Sequence, residues 1–134
     1  MTKWFYLLLA GVLMVGCGNV DWFPEGTENT SAPNSFNFPI KSNVPLSTVV
    51  QSDPVTITGN QPAGWAITIA NGTTGANSQY SINGDAFRST AGTILPNQSL
   101  RVQQTSASTN STTTTSVVTI GTLTKTFQSV TVAQ

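Results

Sequence analysis

The sequence predicts an all-β protein whose folded part is one antiparallel β-sandwich over residues 36–134. Apolar side chains recur at every second position in many short runs, which is the period of a half-buried strand. Gly, Pro and Asn residues that favour turns separate these runs. Most polar residues are Ser, Thr, Asn and Gln, which are poor in helix interiors, and Thr fits a pleated surface well. Together these observations favour strands over helices.

The alternation is clearest at Trp65, Ile67 and Ile69, which share one face of a predicted strand. The other alternating runs are residues 36–40, 55–58, 80–82, 100–102, 118–120 and 123–132. The strongest turn signal between them is Asn83-Gly84, because a type I′ hairpin turn needs positive φ at both central residues. About seven short strands at this spacing predict a single immunoglobulin-like or fibronectin-III-like sandwich, with Trp65 in its core.

The first 16 residues have the layout of a cleaved signal peptide. Lys3 precedes an apolar run over residues 4–15, and the small residue Gly16 ends the segment. This run is shorter than the roughly 20 apolar residues that a membrane-spanning helix needs, although such a helix remains the alternative. The sequence therefore predicts an exported protein.

The single cysteine, Cys17, follows this segment directly. Met14-Val15-Gly16-Cys17 resembles the lipobox of bacterial lipoproteins, with Met14 where that family prefers Leu. The resemblance implies that residues 1–16 are removed and that Cys17 carries a three-chain lipid anchor, which holds a protein at a membrane permanently. In lipoproteins of this kind, an Asp after the cysteine retains the protein at the inner membrane, and this chain has Gly18 there. The resemblance therefore implies a lipid-anchored location in the cell envelope, at the outer membrane. Exposure at the cell surface stays open.

Residues 17–35 are predicted to be a flexible tether between the lipid and the domain. They contain three of the five acidic residues of the chain and show no apolar periodicity. Trp22-Phe23-Pro24 interrupts this polar stretch. Two interpretations stay open for it, a membrane-interface anchor and a patch that packs on the domain.

A second resemblance covers residues 36–132. The blocks that carry it, in chain order, are residues 44–50, 55–59, 80–84, 91–93, 100–102 and 118–121, including the hairpin Tyr80-Ser81-Ile82-Asn83-Gly84. Together they resemble the immunoglobulin-like repeat that occurs in tandem in bacterial surface and secreted proteins. This chain departs from the repeat at Asp85, where Gly is usual, and in having one copy. The resemblance implies a structural or adhesive building block without catalytic residues.

The composition argues against an enzyme and against a nucleic-acid-binding protein. The chain has five basic and five acidic residues and no net charge, whereas nucleic-acid binding needs clustered Lys and Arg. It has no histidine, which excludes Ser-His-Asp and Cys-His catalysis and a zinc site built from His and Cys. Asp53 and Asp85 both stand in turn-like contexts and not as a catalytic pair. We therefore expect no enzyme activity, no cofactor and no metal.

The predicted function is that of a non-catalytic, membrane-tethered lipoprotein of the cell envelope, acting as a structural or adhesive surface module. The alternatives are a subunit of a surface filament or sheath assembled by strand pairing, and an accessory lipoprotein of a larger envelope complex. Its partners would be the membrane, through the lipid, and a protein or a second copy at a strand edge. Phe36, Phe38 and Ile40 are the candidate strand-exchange residues; the other interpretation is that they form the first strand of their own sandwich.

Overall fold

A computed structural model describes residues 31–134 and contains nine strands and no helix in that part of the chain. The strands are β1 (Lys41–Val44), β2 (Val49–Gln51), β3 (Val55–Thr56), β4 (Trp65–Asn71), β5 (Gln79–Ile82), β6 (Gly92–Ile94), β7 (Ser99–Thr105), β8 (Thr113–Ile120) and β9 (Leu123–Thr131). Over the same residues, nothing has the length and hydropathy of a membrane-spanning helix.

The strands form two sheets. The five-stranded sheet has the order β1-β9-β8-β4-β6, and only β1 is parallel to its neighbour. In the four-stranded sheet β7 is central: β2 and β5 both pair with Gln103, and β3 and β5 both pair with Leu100. Therefore β2 and β3 lie along one side of β7 and β5 along the other. This arrangement confirms the predicted all-β, immunoglobulin-like sandwich.

The core lies between the two sheets, and most of its inward residues come from the alternating runs seen in the sequence, with Val50 of β2 and Ile94 of β6 outside those runs. Its fully enclosed apolar side chains include Ile57, Ile67, Tyr80, Ile94, Leu100, Val102, Val118, Ile120 and Phe127. Trp65 is 3% exposed, so its predicted place in the core is confirmed.

Two glycines cover Trp65 at one end of the sandwich. A Cβ on Gly59 would lie 2.8 Å from the indole ring, and a Cβ on Gly121 would collide with the carbonyl oxygen of Ser31. Gly121 also has a φ of 57°, in the left-handed region that favours glycine. The chain therefore passes close over the tryptophan where no side chain would fit.

The segment with Phe36, Phe38 and Ile40 differs from the predicted strand. These residues belong to no strand, and regular pairing begins only at Lys41. Pro39 supplies no N–H for a ladder, which interrupts pairing at this point. The segment instead crosses from one sheet to the other. At its start the Asn34 N–H donates to the Thr58 carbonyl (2.8 Å), just after β3 of the four-stranded sheet. At its end Lys41 pairs with Ser129 of β9 in the five-stranded sheet.

The contacts of the chain with the sandwich are already present at Ser31, before the predicted domain boundary at Phe36. The Thr122 N–H donates to the Ser31 carbonyl (3.0 Å), and Pro33 is buried. The residues 31–35 assigned to the tether therefore lie against the domain. Residues 1–30, with the predicted signal peptide, are outside the described part.

The turn at Asn83-Gly84 follows the sequence prediction. Its φ angles are 53° and 82°, and the Asp85 N–H donates to the Ile82 carbonyl (3.0 Å). The segment after the turn pairs back to β5 only through the isolated bridge between Tyr80 and Arg88. The local turn geometry is thus confirmed, whereas the second arm of the hairpin is a single bridge.

Candidate functional site

The two carboxylates of the folded part are held apart. Asp53 follows β2 on one side of β7, and its two oxygens lie 2.8 and 2.9 Å from the Lys41 ammonium. Asp85 follows β5, which lies on the other side of β7. The structure therefore does not bring them together in the way a glycosidase pair requires. Among residues 31–134 there is no group of three or more His, Cys, Asp or Glu that could hold a metal ion.

The predicted lipidation residue, Cys17, lies outside the described residues, so its acylation stays a prediction. The three candidate strand-exchange residues are described, and they occupy different environments. Phe38 is buried and meets the Phe127 ring edge-on at 6.1 Å between centroids. Phe36 packs on Phe38 at 5.6 Å and is partly buried, whereas Ile40 is 57% exposed. Only the two phenylalanines therefore contribute to the core.

A groove of about 340 Å³ runs between this segment and β9. Its lining residues are Asn37, Phe38, Ile40, Thr124, Lys125, Thr126 and Gln128. The Lys125 ammonium spans the groove and donates to Ser35 Oγ (3.0 Å) and Asn37 Oδ1 (3.3 Å). Polar side-chain contacts, and not a ladder of backbone hydrogen bonds, therefore hold the segment against β9.

The edge of β9 beside this groove is only half paired. Within the described chain, β1 pairs with Ser129 and Thr131, so the stretch from Leu123 to Gln128 has no strand on that side. Thr124 and Thr126, which lie on this stretch, are exposed. An incompletely paired edge can accept a strand from another chain.

The outer face of the five-stranded sheet is uncharged. Its outward residues on the three central strands are Ala66, Thr68 and Ala70 on β4, Thr113, Thr115, Val117 and Thr119 on β8, and Thr124, Thr126, Gln128 and Val130 on β9. The hydroxyls of Thr119 and Thr124 lie 3.2 Å apart, and the Gln128 amide donates to Thr115 Oγ1 (3.4 Å). This face therefore presents hydroxyl and methyl groups and no ionic group.

Sequence reasoning missed a buried polar cluster between the sheets. The Gln104 amide nitrogen donates to Ser129 Oγ (2.8 Å) and to the Thr114 carbonyl (2.9 Å). Its amide oxygen accepts from Ser116 Oγ (2.6 Å), and Ser116 in turn lies 2.6 Å from Ser78 Oγ. All five residues are buried, and the amide of Gln104 and the hydroxyls of Ser78, Ser116 and Ser129 each have a partner. The hydrogen-bonding groups of the cluster are therefore paired within the core, so the cluster is a structural feature and not a ligand-binding site.

We call the end of the sandwich formed by residues 59–64, 95–98 and 121–122 the base. The N-terminal segment joins the domain here, through the bond of Ser31 to Thr122 and through Pro33, whose Cα lies near Gly59. The three base loops contain no charged residue.

The opposite end, which we call the distal end, consists of the loops at residues 73–75 and 105–109. An open pocket of about 340 Å³ lies there, and mostly hydroxyl-bearing residues line it: Ser47, Thr73, Thr74, Gly75, Thr105, Ser106, Ala107, Ser108, Thr109 and Thr114. The loops at both ends are therefore uncharged, and the distal end differs from the base in being rich in hydroxyl groups.

Comparison with family models and with curated proteins finds no match. Among solved structures, the chain is similar to one described as "Crystal structure of the S-layer protein SbsC domains 4 and 5", with 13% sequence identity and a TM-score of 0.42. The aligned part covers 76% of this chain and 50% of that one, so this chain spans half the length of the structure it matches.

Proposed function

We propose that this protein is a non-catalytic, membrane-tethered lipoprotein of the bacterial cell envelope, in which one immunoglobulin-like sandwich serves as a structural or adhesive module. The observation that carries the proposal is the junction at the base. The segment that follows the proposed lipidation site enters at one end of the sandwich, where Ser31 bonds to Thr122. A lipid on Cys17 would then hold the domain by its base.

The surface chemistry supports a module that contacts neutral surfaces. The outer face of the five-stranded sheet offers threonine hydroxyls and small apolar groups, and the distal end offers further hydroxyls. Such groups bind through hydrogen bonds and shape and not through charge. The folded part also keeps its two carboxylates apart, which favours a scaffold over an acid–base catalyst.

The replacement Cys17→Ser tests the anchor, with Ser108→Cys as a control that leaves Cys17 in place. We expect wild type and the control to label with radioactive palmitate and to partition into the detergent phase of Triton X-114 extracts. Cys17→Ser should lose both the label and the partitioning, because no thiol remains for acylation. If Cys17→Ser still fractionates with the outer membrane like wild type, the lipid anchor is ruled out.

A second candidate function, assembly by strand exchange into a filament or sheath, is favoured by one observation. The side chain of Phe38 is buried in the core, yet its backbone pairs with no strand, and β9 beside it keeps an open edge at Leu123–Gln128. A segment held in this way can be replaced by the same segment of a second copy, with Phe36 and Phe38 filling the same space.

A further inference from the structure

The base carries an exposed apolar side chain, Leu95, on the loop after β6. It is 42% exposed, although most residues of its size lie in the core. Its Cδ2 atom is close to Gly64, at 2.8 Å from the position of a Cβ there, so Leu95 adjoins the loop with Pro62 and Ala63. Pro62 and Ala63 are exposed as well. Leu95, Pro62 and Ala63, which we call the base patch, therefore form a small apolar surface.

The base patch lies at the end of the domain that a lipid on Cys17 would hold. Residues 18–30 separate Cys17 from Ser31, and a chain of that length spans at most about 45 Å. The domain is about 30 Å long, because this is the length over which the nine residues of β9 extend. The base therefore stays within reach of the lipid surface, whereas contact by the distal end would require the domain to turn over.

Charge does not select between the two ends, because the loops of the base and of the distal end are both uncharged. The base loops are uncharged, and Asp85, on the turn after β5, is the exposed acid at the same end among the described residues. Contact therefore depends on apolar side chains entering the interface and not on attraction to anionic lipid headgroups. A short tether also keeps the local concentration of the patch at the membrane high, so a small apolar surface suffices.

We infer that the base patch docks on the lipid surface, so that the sandwich stands on the membrane with its hydroxyl-rich distal end outward. This inference rests on the proposed lipid anchor at Cys17. It goes further in assigning an orientation and a contact surface: Leu95, Pro62 and Ala63 enter the interface, and the loops at residues 73–75 and 105–109 face away from the membrane.

Site-specific labelling of the full, lipidated chain tests the orientation. An environment-sensitive dye is attached to Ala63→Cys at the base or to Ser108→Cys at the distal end, and each protein is reconstituted into phosphatidylcholine vesicles with brominated acyl chains. We expect the dye at position 63 to be quenched at least about twofold more than the dye at position 108. The difference should persist in 1 M salt, because no ionic attraction is involved.

Two further variants identify the residue responsible. In the Ala63→Cys background, Leu95→Ser should remove more than half of the quenching, because a polar side chain gains nothing at the interface. The matched control is Val49→Ser, which alters an exposed apolar residue (63% exposed) at the distal end, and it should leave the quenching unchanged. Equal effects of the two substitutions would overturn the assignment of Leu95.

Other outcomes separate this inference from the proposed function. Equal quenching at positions 63 and 108 in an acylated protein would overturn the docking and leave the lipid anchor standing. The dye at position 63 could instead be shielded from water without being quenched by bromine. If that shielding increased with the protein-to-lipid ratio, a second copy of the protein would cover the patch in place of lipid. Reaction of the dye at Cys17 in the purified protein would overturn the anchor itself, and the docking with it.

Discussion

Trp65 and Gln104 are both buried, but the sequence predicts the burial of Trp65 far more clearly than that of Gln104. Trp65 heads an alternating apolar run, and its burial follows from that pattern alone. Gln104 continues the inward register of Leu100 and Val102 on β7, but its polar amide gives no apolar signal of burial. It is buried because β7 is the central strand of its sheet and the inward face of β7 opposes β8 and β9. The same alternation thus points an apolar and a polar side chain into one core.

The buried amide of Gln104 should contribute more to the free energy of unfolding than an exposed amide does. The replacement Gln104→Leu removes the partner of Ser129 and one partner of Ser116, and a buried polar group left unpaired costs about 1–3 kcal/mol. Unfolding in urea, monitored by tryptophan fluorescence, should show a loss of that size in the free energy of unfolding.

Two controls define the cause. Gln51→Leu changes an exposed amide whose side-chain bond to Gln103 is 3.3 Å long, and we expect less than about 0.5 kcal/mol. Adding Ser129→Ala to Gln104→Leu removes the hydroxyl that has lost its only partner, whereas Ser116 keeps its bond to Ser78, so part of the lost stability should return. A double variant less stable than the single one would argue that packing, and not hydrogen bonding, makes Gln104 important.

At the scale of elements, the segment from Ser31 to Ile40 behaves unlike the strands. It contributes Phe38 to the core, while Lys125 and a few backbone bonds hold it in place. The strands β8 and β9, in contrast, pair along eight registered positions. This difference makes the N-terminal segment the part of the domain most open to exchange.

Deleting residues 18–40 separates exchange from a purely intramolecular role. If the segment is exchanged, wild type forms multimers at high concentration, and the shortened chain is a monomer that binds an added peptide of residues 35–44. Size-exclusion chromatography with light scattering measures the assemblies. The matched variants are Phe38→Ser, which should abolish peptide binding, and Ile40→Ser, which should change it little because Ile40 is exposed. A wild-type protein that stays monomeric, with residues 36–44 protected from hydrogen exchange, would contradict the exchange.

At the scale of the whole molecule, the sandwich holds together through its core and strand pairing. Its apolar residues form one continuous cluster across the two sheets, to which Phe36, Val44, Val55 and Ile69 add at the margins. The ion pair of Lys41 and Asp53 joins the margins of the two sheets, but both side chains are partly exposed, so its contribution is small. Stability should therefore depend little on salt.

The domain should fold as one unit without a metal. A shortened chain of residues 31–134 should show a β-type circular dichroism spectrum and a single cooperative melting transition, because one core connects both sheets. Addition of EDTA should leave the melting temperature unchanged. A fall of several degrees with EDTA, reversed by calcium, would instead indicate a cation held near Asn83 and Asp85.

The sequence by itself determined the fold class, the core position of Trp65 and the turn at Asn83-Gly84. Each of these depends on local chemistry: the period of two, a large apolar side chain at an inward position, and residues that tolerate positive φ. The tertiary structure alone decided the path of Phe36 to Ile40 and the partners of the Gln104 amide. Those outcomes depend on which strands lie opposite one another, so that Pro39 breaks the ladder where the chain crosses between sheets and Ser116 meets the amide of Gln104. Contacts between residues distant in the chain decide such features, and a local pattern of side chains does not contain them.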